Sequence, residues 1–474
     1  MDKNTFYDSL LKAFPHVPTL IQDIALQQLT EFLLDQNSTN RLFLLKGFAG
    51  TGKTSITNCL IQNLPLIKHK AVLLAPTGRA SKVMAGFAKQ QAFTIHKHIY
   101  FTKTQGGNVN FALKPNKYRN TLFIVDEASM IAENDGQVFE QTSLLDHLID
   151  YVYSGQGCRL LLMGDTAQLP PVNSDYSPAL DIRNLEIQYN KEVSHIELNE
   201  VIRQEKKSGI LHNATRIREM IFDTYSDKNF QFDIQKFRDI IRLIEGVDIQ
   251  EAIEDSYNNN GQEQTAIIVR SNKRAVLYNK QIRRVILGNE DELSAGDLLM
   301  VVKNNYFWQK DISDVSFIAN GDTLEVLRIY AFRELYGFRF AEVQAQLIDY
   351  PNQPPFDTVL LLNTLDSENP SLTYQENNKL YEEVLLDYQE ETSAYKKYLK
   401  VKENPFFNAL QVKFSYAITC HKSQGGQWET VFIEKPYLPN GSDDNYLRWL
   451  YTALTRATKK VYLINFKNED FVGE

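Results

Sequence analysis

Residues 47–54 read GFAGTGKT, between the apolar run RLFLLKG and SITNCLIQNL. This eight-residue pattern constrains the chain more than anything else in it. Backbone amides around Gly47, Gly50, Thr51 and Gly52 can curl about phosphate oxygens. Lys53 brings a positive charge to them, and the Thr54 hydroxyl can ligate Mg²⁺. Such a loop works only where a buried strand ends and a helix begins, so a parallel α/β fold is required around it. Further apolar runs at 71–75, 122–125 and 160–163, separated by helical segments, supply the rhythm of a parallel sheet with crossover helices. Residues 20–34 (LIQDIALQQLTEFLL) read as an amphipathic helix ahead of it.

Two downstream segments complete a nucleotide site. LFIVDE at 122–127 puts two acids at the end of a buried strand, costly unless a cation compensates them. Asp126 is the candidate Mg²⁺ ligand, and Glu127 the group that orients and activates water. GDTAQLPP at 164–171 places the neutral Gln168 at another strand end, able to contact both a γ-phosphate and water.

The 474 residues allow about two to four domains. A second α/β unit starts near Thr265 with TAIIVR. From about Leu293 to Phe407 short β-prone runs replace the α/β rhythm, which reads as a small β domain inserted in the second unit. Residues 91–120 carry Lys97, Lys103, Lys114, Lys117 and Arg119 with no acid, and Gly106–Gly107 suggests a hairpin. The net charge of −8 argues against a protein that coats nucleic acid by bulk charge, yet allows a local basic path. Three scattered cysteines give neither a disulfide framework nor a zinc spacing. With no apolar run of 18 residues and no signal-peptide pattern at the start, a cytoplasmic protein without a membrane span is expected.

In order, the motifs resemble those of the superfamily 1B helicases, the 5′→3′ branch of P-loop ATPases with RecD-like, Pif1-like and Dda-like members. Beside GFAGTGKT, DEASM and GDTAQLPPV stand APTGRASK (75–82), TIHKHIY (94–100), LNEVIRQ (198–204), ITCHKSQGGQW (418–428) and YTALTRA (451–457). The resemblance implies two RecA-like motor domains. The first covers 1–200, with a 1B hairpin at about 98–120. The second starts at 201–292 and resumes at 408–474, around an SH3-like 2B domain at 293–407. It implies that Gln22 reads adenine and that Arg203 and Arg456 reach the γ-phosphate. It also implies that Thr77, Arg79, Thr94, His96, Thr419, His421 and Ser423 face single-stranded DNA. Asn272 and Asn279 become DNA-side or loop-structuring candidates, and Trp428 and Tyr306 stacking or packing candidates. Phe101 and Phe111 are candidate wedges on a short pin. The expected activity is ATP- and Mg²⁺-dependent strand separation at single-strand/duplex junctions by a monomer, in DNA repair or recombination. A translocase that does not unwind, an RNA helicase and a nucleotide-switched binding module are the competing readings.

Overall fold

The computed structural model describes all residues except 36–39, 106–107, 133–142, 173, 201–207, 226, 309–316, 351–352 and 474, together with the side chains of 102–111. After the helix Lys3–Ala13, the helix Leu20–Leu34 starts where Thr19 and Gln22 form a reciprocal capping box. Strands β1 (Arg41–Gly47), β2 (Lys70–Ala75) and β3 (Ala92–Thr94) follow. A two-stranded hairpin, β4 (Tyr100–Gln105) and β5 (Asn108–Leu113), then interrupts the α/β rhythm, which resumes with β6 (Thr121–Val125), β7 (Arg159–Gly164) and β8 (Glu192–Leu198).

The six-stranded sheet runs β3-β2-β6-β7-β1-β8, all parallel. Alternation along its strands builds two cores. Leu42, Leu44, Phe123, Val125, Leu160 and Leu162 face the helix Leu144–Tyr153. Phe43, Leu45, Leu122, Ile124, Leu161 and Met163 face Lys3–Ala13, Leu20–Leu34 and Lys53–Asn63.

The second motor domain adds β9 (Ile240–Leu243) and β10 (Thr265–Val269). The chain then enters a closed barrel of β11 (Leu298–Val301), β12 (Thr323–Leu335), β13 (Phe338–Leu347), β14 (Phe356–Leu361) and β15 (Leu410–Phe414). It returns as β16 (Ala417–Thr419), β17 (Trp428–Glu434) and β18 (Ala457–Ile464), in a parallel sheet ordered β16-β10-β17-β18-β9. The barrel is the inserted β domain that the sequence announces. It ends later than residue 407, because Leu410–Phe414 pairs with both β11 and β14 to close it. The apolar stretch 412–418 is therefore split between two sheets at Ser415–Tyr416. Residues 374–403, rich in tyrosine, form two helices, Tyr374–Leu386 and Ala394–Glu403, packed on the barrel through Leu380, Val384 and Val401.

The insertion is pinned where it leaves and rejoins its host. Arg283 makes a bidentate bond to the fully buried Asp297 (2.9 and 2.8 Å), which also accepts the Tyr416 hydroxyl (3.1 Å). Asn279 bonds both sides of the return crossing, through the Phe414 and Ala417 carbonyls and the Ala417 N–H. Its role is to structure that crossing. All three cysteines are buried and unpaired. Among the described residues no helix is long and apolar enough to cross a membrane.

Candidate nucleotide site and strand track

Ligand loops of open α/β sheets gather beyond the carboxyl ends of the strands. The phosphate loop follows β1, Asp126–Glu127 follows β6 and Gln168 follows β7, and these are neighbouring strands. Gly50 (φ 73°) and Gly52 (φ 92°) take left-handed backbone that other residues adopt at a cost. Lys53 Nζ is drawn back onto the loop, donating to the Gly47 carbonyl and to the Phe48 carbonyl at 3.1 Å. Thr54 stays exposed on the wall of a cavity of about 510 Å³.

Both motor domains line that cavity. Gly50, Lys53, Thr54, Asp126, Glu127 and Gln168 come from the first; Gly425, Gln427, Thr455 and Arg456 come from the second. Burial, and then the neighbouring Glu127 charge, push the Asp126 carboxyl up to about 6, while Lys53 and Arg456 pull the other way. Glu127 sits in the left-handed region (φ 52°), and its carboxylate lies 3.5 Å from Arg456 across the interdomain cleft. Arg456 is 4 % exposed and held by the Thr452 carbonyl (3.1 Å) and the Gly426 carbonyl (3.3 Å). Gln168 is buried, and its Oε1 has no hydrogen-bond partner among the described residues.

These features fit a magnesium nucleotide. A desolvated carboxylate beside a second acid, an unsatisfied amide oxygen and a glycine-curled loop below a lysine are the groups such a ligand would satisfy. Thr54 and Asp126, both on the wall of the cavity, would hold the metal together with phosphate oxygens and water.

Gln22 is placed differently from an open base-reading group. Its Oε1 accepts from the Thr19 N–H (3.0 Å), and its Nε2 donates to the Thr51 carbonyl (2.9 Å). It thus caps its helix and braces the phosphate loop from behind. Arg203 lies outside the described residues.

The candidate strand contacts occupy the other half of the first sheet and the edge of the second. Thr77 follows β2, Thr94 ends β3 and Thr419 ends β16. The Thr77 and Thr94 hydroxyls cap the helices Gly78–Ala88 and Ile95–Ile99 by accepting from Ala80 and Lys97 N–H. His96 is half-buried, with its ring centroid 5.7 Å from that of Tyr100. His421 is exposed, and crowding by the surrounding protein lowers its pKa, favouring a neutral ring.

Two candidates are committed elsewhere. The Ser423 hydroxyl is buried and donates to the Cys420 carbonyl (2.7 Å). Arg79 lies over the Trp428 ring at 4.6 Å and donates to Thr323 Oγ1 of the barrel (3.1 Å), so it joins three domains and is turned away from an open track. Trp428 is accordingly a packing residue, and Tyr306 packs against Phe317 (5.1 Å).

Of the basic residues at 91–120, Lys97 is paired with Asp322 of the barrel (3.1 Å) and Lys114 donates to the Lys97 carbonyl (2.8 Å); Lys117 and Arg119 are exposed. Lys103 and Phe111 have side chains outside the described set, while Phe101 is half-buried. Sequence reasoning missed Tyr451 and Asp165. Both lie inside recognised motifs, but nothing in the residue string shows that they touch.

Residues 31–174 match a family model described as an AAA domain, and residues 414–464 match the UvrD-like helicase C-terminal domain. An uncharacterised protein of Acanthamoeba polyphaga mimivirus is 24 % identical over 524 aligned residues, covering 93 % of this chain and 98 % of that protein. The ATP-dependent DNA helicase dda of Enterobacteria phage T4 is 23 % identical over 453 residues, covering 89 % and 93 %. The ATP-dependent RecD2 DNA helicase of Deinococcus radiodurans is 32 % identical over 182 residues, which span 38 % of this chain and 22 % of that protein. Among solved structures, a Pif1 helicase from Bacteroides in complex with ADP-AlF3 and ssDNA covers 94 % of both chains at 15 % identity and a TM-score of 0.46. With the phosphate loop, Asp126–Glu127, Gln168 and Arg456 meeting at one interdomain cleft, and with these family models and relatives, the chain is similar to the superfamily 1B helicases.

Proposed function

We infer that the chain is an ATP-dependent DNA helicase that moves 5′→3′ along one strand as a monomer and parts single-strand/duplex junctions. The observation that carries this reading is Arg456 of the second motor domain facing Glu127 of the first at 3.5 Å, over the phosphate loop. Phosphoryl transfer is governed by positioning and charge neutralisation. Lys53 and Arg456 would meet the charge on the transferring group from opposite sides of the cleft. Glu127 would orient the attacking water and take its proton, and Gln168 would sense the γ-position. Bound Mg²⁺, held at Thr54 and Asp126, would neutralise phosphate charge.

One half of this charge set arrives from each domain, so turnover is tied to cleft closure. Thr77, Thr94 and His96 on the first domain and Thr419 and His421 on the second would hold the strand backbone without reading bases. Closure and opening of the cleft would then shift one group of contacts past the other. Relatives named as DNA helicases support DNA over RNA.

Matched duplexes with a 5′ or a 3′ single-stranded tail test the reading. Unwinding of the 5′-tailed substrate alone is expected, and unwinding confined to the 3′-tailed one refutes the polarity. The hairpin strands are only six residues each, which favours keeping a translocase that strips protein from DNA without unwinding as the second reading. Displacement of streptavidin from a biotinylated strand, without duplex separation, would select it.

A further inference from the structure

The Arg456 finger is anchored by the helix that precedes it. Five residues earlier Tyr451 is 1 % exposed, and its hydroxyl is held on two sides by the first motor domain. It accepts from the Ala49 N–H of the phosphate loop (2.9 Å) and donates to Asp165 Oδ2 (2.7 Å). The other Asp165 oxygen accepts from the Ala167 N–H (2.9 Å), which fixes the loop that carries Gln168. The next residue repeats the link: Thr452 Oγ1 accepts from the Leu169 N–H (2.9 Å). Anchor and finger form one short stretch, since the Tyr451 carbonyl accepts from Thr455 N–H (3.0 Å) and the Thr452 carbonyl from Arg456 Nε (3.1 Å).

We propose that Tyr451 is a positioning residue: its hydroxyl ties the phosphate loop and the Gly164–Gln168 loop to the helix Asp444–Leu454, and thereby sets where Arg456 meets Glu127. The proposal rests on the ATPase reading above. In a site this dry, an amide N–H or a carboxylate deprived of its partner is costly, so the three groups hold each other in place. Opening the cleft must part Tyr451 from both partners, which makes the contact a property of the closed arrangement. Its loss therefore falls on turnover. Nucleotide capture by Lys53, Thr54 and Asp126 uses the first domain only and is spared.

Tyr451→Phe, Asp165→Ala and the double substitution in the full chain test this. The readouts are kcat and KM for ATP hydrolysis with single-stranded DNA, the Kd of a fluorescent ADP analogue, and the thermal midpoint. Each single substitution is expected to lower kcat tenfold or more with KM and Kd within threefold, and the double to fall no further than the worse single. Thr452→Val keeps the size of its side chain and is expected to show the same split, so the inference stays testable if a buried-acid variant misfolds. A kcat within twofold of the parent for both Tyr451→Phe and Thr452→Val overturns the inference alone. So does a double variant in which the two losses multiply. No DNA-stimulated turnover in the unsubstituted protein overturns the ATPase reading and the inference with it.

Discussion

Gly425 of the second motor domain packs closely against the helix Gly78–Ala88 of the first, and Gly425→Ala tests whether that approach sets the catalytic geometry. A Cβ at this position would lie 2.7 Å from Ala80 Cβ and 3.1 Å from Thr77 Oγ1. Carbon atoms rest at about 3.5–4.0 Å, so the domains must part by about 1 Å here. Neither neighbour can turn aside. The Ala80 Cβ is fixed by its backbone, and the Thr77 hydroxyl caps the helix through the Ala80 N–H at 3.2 Å. The left-handed backbone of Gly425 (φ 72°) adds about 1–2 kcal/mol for any other residue. The neighbouring Gly426 carbonyl accepts from Arg456 at 3.3 Å, so a shift of this loop moves the finger directly. Misplacing a reacting group by about 1 Å costs about 100-fold in rate. Steady-state ATP hydrolysis with single-stranded DNA should therefore show kcat about 100-fold lower, with ADP affinity retained by the untouched phosphate loop. A variant that turns over within threefold of the parent would show that the interface yields without moving Arg456, and the reasoning would fail.

Three further outcomes are expected. Arg456→Ala should lower single-turnover hydrolysis by about 10³-fold, the lower range for an arginine finger, with DNA binding retained; a loss below tenfold would remove the finger assignment. Lys97→Met leaves Asp322 buried without its counter-charge and should cost about 3 kcal/mol in urea denaturation, while Lys97→Met with Asp322→Asn, which removes the charge and keeps an acceptor for the Ala319 N–H, should recover most of it; equal losses in both would refute the pair as the cause. Burial holds His98 near a pKa of about 4 against 6.5 for the free group. The folded chain thus resists a proton that the unfolded chain accepts. Stability should fall as pH drops from 6.5 towards 4, by up to about 1.4 kcal/mol per unit, and His98→Phe should flatten that slope in urea midpoints measured across this range.

Legibility of the chain followed the locality of its interactions. The phosphate loop, LFIVDE and GDTAQLPP could be read because each works through a strand end and a few adjacent residues. Central strands such as Thr121–Val125 were legible as apolar runs because both faces are buried. Glu192–Leu198 and Ile240–Leu243 were not. Both are edge strands covered only in part: Glu192–Leu198 is polar in consequence, and Ile240–Leu243 is four residues long and broken by Arg242. The barrel's last strand is not legible for a similar reason: an apolar run looks alike whether it closes a barrel or joins a parallel sheet, and only the pairing of Leu410–Phe414 with β11 and β14 separates the two.

By itself, the sequence determined the class of fold, the phosphate site and the order of motifs that identifies the family, since these depend on contiguous residue types. The tertiary structure alone decided which polar side chains were available. An arginine can hold a phosphate or lie on an indole; Arg79 does the second because Trp428, distant in the chain, is brought beneath it. A lysine in a basic segment can meet DNA or an acid; Lys97 meets Asp322 because the barrel folds back onto the first motor domain. A tyrosine in a motif can be mere packing; Tyr451 joins two domains because Ala49 and Asp165 converge on its hydroxyl. Each outcome depends on which distant partner arrives within hydrogen-bond or stacking reach, and that is settled by how the domains pack.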